Sequence, residues 1–230
     1  MATTRAWWSR GLTVSENPVA HWLSKIPPDL RREVFTHPSA GGRNFYRLAF
    51  YGDSILEVYI RKNLCEKYPK EDVGSLAKKR ATLASTQALA FLAERWGLAQ
   101  LLVYQEGEAP SDHTLASLVE AFIAAVAMTL GTASAPAVIR FLDEAFMPYW
   151  DVILRDFADY KSQANEMMLR WGQAFHYEII SREGPDHSPR YTVCLILDGR
   201  EVGRGTGRSV KEAEQAAAEE FLERSSGPSE

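Results

Sequence analysis

Two acids in this 230-residue chain are set apart by their surroundings. Asp53 follows a glycine inside YRLAFYGDSIL, residues 46–56, an apolar and aromatic run that reads as a buried helix. A lone carboxylate there costs several kcal/mol unless a cation or hydrogen bonds compensate it. Glu57 lies one turn on, and Arg47 and Arg61 are the nearest cations, so the plain alternative is a salt bridge on the helix surface. The second acid, Glu120, is the sole one in HTLASLVEAFIAAVAMTLG, with Ser117 three residues before it and hence on the same helical face. Lys78, Lys79 and Arg80 form a basic helix start, ordinarily a solvated face and here also suited to phosphate.

The elements that must hold these residues follow from spacing. Val19, Trp22, Leu23 and Ile26 fall at helical period until Pro27 and Pro28 stop them, and a short helix covers Leu30–Phe35. Thr36–Asn44 is loop, and Asn44 is the expected N-cap of a helix that carries Asp53 to about Lys67. Leu76–Leu102 keeps helical period with a break at Gly97; Gln105–Asp112 is acidic loop. The apolar run around Glu120 predicts a central helix packed on the Asp53 helix, and Pro136–Trp150 a last one. The first 150 residues therefore read as all-α.

Beyond a short linker at Arg155–Ala158 the periodicity changes. Asp159–Arg170 is an amphipathic helix; Tyr177–Ser181, Tyr191–Leu197 and Glu201–Gly205 alternate as strands, with Gly184-Pro185 marking one turn and Asp198-Gly199 a tight hairpin. Ser209 and Glu212 form a capping box ahead of a helix over Val210–Arg224, and Ser225–Glu230 reads as a frayed tail. The expected order is α-β-β-β-α.

A net charge of −4 and a pI near 5.8 exclude a chain coated in basic charge, so nucleic-acid contact must come from local patches. Cys65 and Cys194 are too few and too distant for a disulfide framework or a zinc site. No apolar run approaches the roughly 20 residues that cross a bilayer, and the N-terminus lacks a secretory pattern; a cytoplasmic protein is expected.

Two separate stretches resemble one family. THPSA, RLAFYGDSILEVYI and LVEAFIAAV are similar to the signature of a ribonuclease III catalytic domain over residues 15–150. DYKSQANEM, EGPDH, YTV and GRGTGRSVKEAEQAAA are similar to a double-stranded RNA binding domain over residues 159–225. The resemblance implies an all-α ribonuclease III-like domain followed by a small α+β RNA-binding domain, and hydrolysis of duplex RNA, such as precursor ribosomal RNA, by a homodimer. It implies Mg²⁺, with Mn²⁺ as a substitute, held by clustered carboxylates that bind the scissile phosphate and activate water.

By that resemblance Asp53 and Glu120 are the catalytic and metal-binding acids. Their usual partners are missing: Ala49 stands four residues before Asp53 and Ser117 three before Glu120. Two further positions that are often acidic are Tyr46 and Val73, the latter beside Asp72. Two carboxylates, with phosphate oxygens and water, still suffice for one octahedral ion, at lower affinity and rate. The depletion also motivates an alternative: a relative that grips duplex or ribosomal RNA without cutting it.

In the second domain the resemblance assigns Gln163 and Glu166 to 2′-hydroxyls and Gly184, Pro185, Asp186 and His187 to a minor-groove loop. Arg208, Ser209 and Lys211 would meet phosphates, with Val210 where a second lysine is usual. For Lys211 the plain alternative is a pairing within its own helix, with Glu214 or Gln215. Duplex DNA, lacking 2′-hydroxyls, is expected to bind far more loosely.

Overall fold

A computed structural model describes residues 18–105, 110–131, 135–185 and 188–226. The chain divides into two compact units between Ala158 and Asp159.

The first unit is helical: α1 (Pro18–Lys25), α2 (Pro28–Val34), α3 (Tyr46–Lys67), α4 (Val73–Leu83), α5 (Thr86–Arg95), α6 (Asp112–Leu130), α7 (Ala135–Ala145) and α8 (Trp150–Asp156). Helix α6 is the axis of this unit. Ser111 Oγ accepts the Thr114 N–H at 3.2 Å to start it, and Gly131, at φ 76°, ends it. Leu118, Val119, Phe122, Ile123 and Val126 are all buried on it, each contributing about 1.5–3 kcal/mol of burial. Phe122 meets Trp96 and Phe141, and the Trp96 indole donates to the Ala145 carbonyl at 2.9 Å.

At 19 residues and with one acid among its interior positions, α6 corrects the expectation that no apolar run approaches a bilayer's span. By length and composition alone it could cross one, but 61% of its apolar window is buried against the protein, as a core helix requires.

Helix α3 lies along α6 and is two-sided. Leu48, Ala49, Gly52, Leu56, Tyr59 and Ile60 face the core, whereas Tyr46, Phe50, Tyr51 and Val58 are exposed. The expectation of a fully buried helix is therefore corrected. Asn44 does accept the Tyr46 N–H, at 3.2 Å, although Phe45 stands at the cap position.

Three boundaries differ from the sequence reading. Leu76–Leu102 is two helices, because the Ser85 hydroxyl caps a new start by accepting the Ala88 N–H at 3.2 Å. The expected helix over Pro136–Trp150 stops at Ala145, where a 3-10 turn over Met147–Tyr149 leads into α8. Consequently Arg155 and Asp156 are helical rather than linker.

The second unit contains α9 (Tyr160–Trp171), β1 (Phe175–Glu183), β2 (Arg190–Leu197), β3 (Arg200–Gly207) and α10 (Val210–Ser226), with an antiparallel sheet in the order β1-β2-β3. Asp198 and Gly199 both have positive φ, 47° and 76°, as a two-residue hairpin of the primed type demands. Ala164, Met168, Leu195, Ala217 and Phe221 form its core. A β-carbon on Gly205 would lie 2.2 Å from the Ala217 nitrogen, so only glycine lets β3 approach α10 this closely.

Candidate functional site

The two acids singled out in the sequence come together where α3 touches α6. At Gly52 a β-carbon would lie 1.8 Å from the Glu120 carbonyl oxygen, so the backbones meet at that point. Asp53, the next residue, is exposed, and Glu120 is half-buried. Burial, and then the nearby Asp53 charge, push the Glu120 carboxyl up to about 7. The buried acid is thus Glu120, which corrects the expectation for Asp53.

Neither acid has an ion-pair or hydrogen-bond partner among the described residues. Arg61, expected near Asp53, instead pairs with Glu57 Oε2 at 2.9 Å, and Arg80 Nη1 holds Glu57 Oε1 at 2.8 Å. Glu57 is therefore neutralised by two arginines and is not a free carboxylate to stand in for the acid missing at Ala49. Two neighbouring carboxylates without an ion-pair partner among the described residues fit a divalent cation. Among the described residues no three His, Cys, Asp or Glu side chains gather as a ready metal cluster, so two protein acids are what the site offers.

Ala49 and Ser117 are both buried, at 4% and 5% exposure, and neither adds a charge. Tyr46 and Val73 are exposed, and Asp72 Oδ1 caps α4 by accepting the Ser75 N–H at 3.0 Å. His113 escaped the sequence reading. Its Nδ1 lies 3.4 Å from Ser117 Oγ, a contact that i, i+4 spacing could have signalled.

In the second unit Gln163 is half-buried and Glu166 exposed on α9, and Gly184 and Pro185 are exposed beyond β1, with Gly184 at φ 84°. Asp186 and His187 lie outside the described residues. Glu212 accepts the Arg208 N–H at 2.8 Å while Ser209 Oγ accepts the Glu212 N–H at 3.2 Å. These two bonds, with Glu212 reaching the residue before the expected cap, fix the chain around Arg208, Ser209 and Lys211 at the start of α10. The alternative of a pairing within the helix fails for Lys211. Glu214 is taken by Lys161 at 2.5 Å, and Gln215 bonds Asp159 and the Lys161 backbone.

The comparisons match the same two units. Residues 46–131 match the model of the Ribonuclease III domain, and residues 160–224 that of the Double-stranded RNA binding motif. The chain is 36% identical to Ribonuclease 3 of Geobacter metallireducens over 208 residues, 84% of this chain and 83% of that protein. It is 35% identical to Ribonuclease 3 of Geobacillus kaustophilus over 184 residues, 77% of this chain and 74% of that protein.

The chain belongs to the ribonuclease III family.

A solved nuclease domain of ribonuclease III from Campylobacter jejuni is 24% identical, covering 59% of this chain and 97% of that domain at a TM-score of 0.48. Within the ribonuclease III domain of this chain, the matched residues include both α3 and α6, and so both acids and both substituted positions.

Proposed function

We propose that the protein is an endoribonuclease that hydrolyses double-stranded RNA with a divalent cation, Mg²⁺ or Mn²⁺, held by Asp53 and Glu120. The observation that carries this reading is the seam at Gly52, which sets two unpaired carboxylates side by side in the domain that matches the nuclease family. When bound, the cation supplies Lewis-acid polarisation of the scissile phosphate and a water activated near neutral pH. Asp53 offers an exposed, fully accessible carboxylate. Glu120 offers one that gives up its proton only near neutral pH, so cation and proton compete for it.

Gln163 and Glu166 on α9 are suited to 2′-hydroxyls, and Gly184 and Pro185, with Asp186 and His187, to the next minor groove. Arg208, Ser209 and Lys211 are suited to phosphates. Two copies would pair through the apolar side of the first unit. Phe50 is 83% exposed, and beside α3 runs an apolar groove of about 670 Å³ lined by Tyr51, Ile55, Val58, Met128, Val138 and Ile139. Structured cytoplasmic precursors such as ribosomal RNA are the expected substrates.

Incubation of the purified protein with a perfect RNA duplex and Mg²⁺ or Mn²⁺ tests the proposal. Cleavage by the parent and its loss in Asp53→Asn are expected. Equal cleavage by Asp53→Asn would show the site to be wrong, and tight duplex binding without any cleavage would leave a protein that grips RNA and does not cut it.

A further inference from the structure

Ser117 stands where the family resemblance places a carboxylate, and its hydroxyl is engaged. The side chain is 5% exposed, and its Oγ makes a long hydrogen bond, 3.4 Å, with His113 Nδ1. Which of the two atoms donates depends on the imidazole tautomer, and Ser117 has no other hydrogen-bond partner among the described residues. In the tautomer whose Nδ1 accepts from the buried hydroxyl, the ring proton sits on Nε2. His113 is exposed near the start of α6, so in that tautomer it presents an N–H donor to whatever approaches that end of the helix.

His113, Ser117 and Glu120 fall at i, i+4 and i+7, a single stripe of α6. Ser117 lies between His113 and Glu120 on this stripe. An acid at position 117 would hold a proton on Nδ1, whereas the serine hydroxyl can give its own proton to that nitrogen. No three His, Cys, Asp or Glu side chains gather here among the described residues, so His113 is not read as a third protein ligand to the cation.

We infer that His113 donates its Nε2–H to a nonbridging phosphate oxygen of the RNA strand that lies across Asp53 and Glu120. The inference rests on the nuclease reading above and deepens it: the Ser117–His113 pair replaces an anionic group with a substrate-binding donor. It predicts a phosphate contact beside the acids that depends on His113.

The test uses full-length protein, His113→Ala and His113→Gln, with RNA duplexes carrying one neutral methylphosphonate at successive positions across the cut site. Cleavage is read as KM and kcat, and binding as Kd in the Asp53→Asn background, where the duplex stays intact. His113→Ala should raise KM and Kd about tenfold. His113→Gln, which keeps an N–H donor, should recover most of that loss. A methylphosphonate at one position should weaken the parent to the level of His113→Ala and leave His113→Ala unchanged.

Parent-like KM and Kd in His113→Ala would overturn the inference, as would losses from methylphosphonates that are the same in both proteins at every position. A parent that binds but never cuts would sink the nuclease reading alone, because the binding series still reports whether one phosphate depends on His113.

Discussion

Gly52 of α3 and Glu120 of α6 are in backbone contact, with 1.8 Å between the Glu120 carbonyl oxygen and the place a β-carbon on residue 52 would occupy. The separation of the two helices, and with it the spacing of Asp53 from Glu120, is set at this point. No rotamer change relieves such an encounter, since the atom in the way belongs to the main chain.

Gly52→Ala should therefore push α3 off α6 rather than be absorbed locally. We expect a loss of about 3 kcal/mol in chemical denaturation. Activity should fall further than the unfolded fraction explains, because the acids move apart. Unchanged stability and activity would show that the helices are not in contact here.

Metal-free protein should lose stability as the pH rises. Folded Glu120 keeps its proton up to about 7, whereas the unfolded chain releases it near the ordinary value of 4.5. Between these values the folded state binds more protons than the unfolded state, so stability falls with rising pH and then levels off. Melting in chelator from about pH 5 to about pH 8 should show this slope, and Glu120→Gln should flatten it. Adding Mg²⁺ should stabilise the parent most at the alkaline end, where the ionised carboxylate is available.

Restoring the missing acids tests how far ligand loss limits the chemistry. The double substitution Ala49→Glu and Ser117→Asp should raise the cleavage rate about 100-fold or more. Its metal-free stability should drop, since both positions are buried and new charges there lack partners. An unchanged rate would mean that the backbone at the seam no longer presents ligands correctly.

Lys211 has no ion pair among the described residues and sits at the start of α10. Lys211→Ala should weaken duplex RNA binding at low salt and reduce the slope of log K against log salt by about one counterion. The same change should leave the melting temperature within error. A slope identical to the parent's would remove Lys211 from the interface.

Much of this architecture can be read from residue order, and the exceptions have physical causes. The near absence of charge in α6 announced a core helix, and Asp198-Gly199 announced the hairpin. The break at Ser85 was missed because apolar period continues across it; only the capping hydroxyl reveals it. Which acid is buried could not be read either. Asp53 and Glu120 each sit in apolar sequence, and the difference arises only from where α3 and α6 touch. His113 lay one helical turn from Ser117, but its significance depends on Ser117 being buried, a property of packing rather than of spacing.

The clamp on Glu57 changes what an approaching polyanion meets. Asp53, Glu57 and Glu120 bring three negative charges, and Arg61 and Arg80 return two positive ones through Glu57. The local sum is a single negative charge, and zero while Glu120 keeps its proton, against −4 for the chain as a whole. On the proposed reading a duplex should settle onto this face of an overall acidic protein before any cation arrives, so docking and hydrolysis should be separable under chelation.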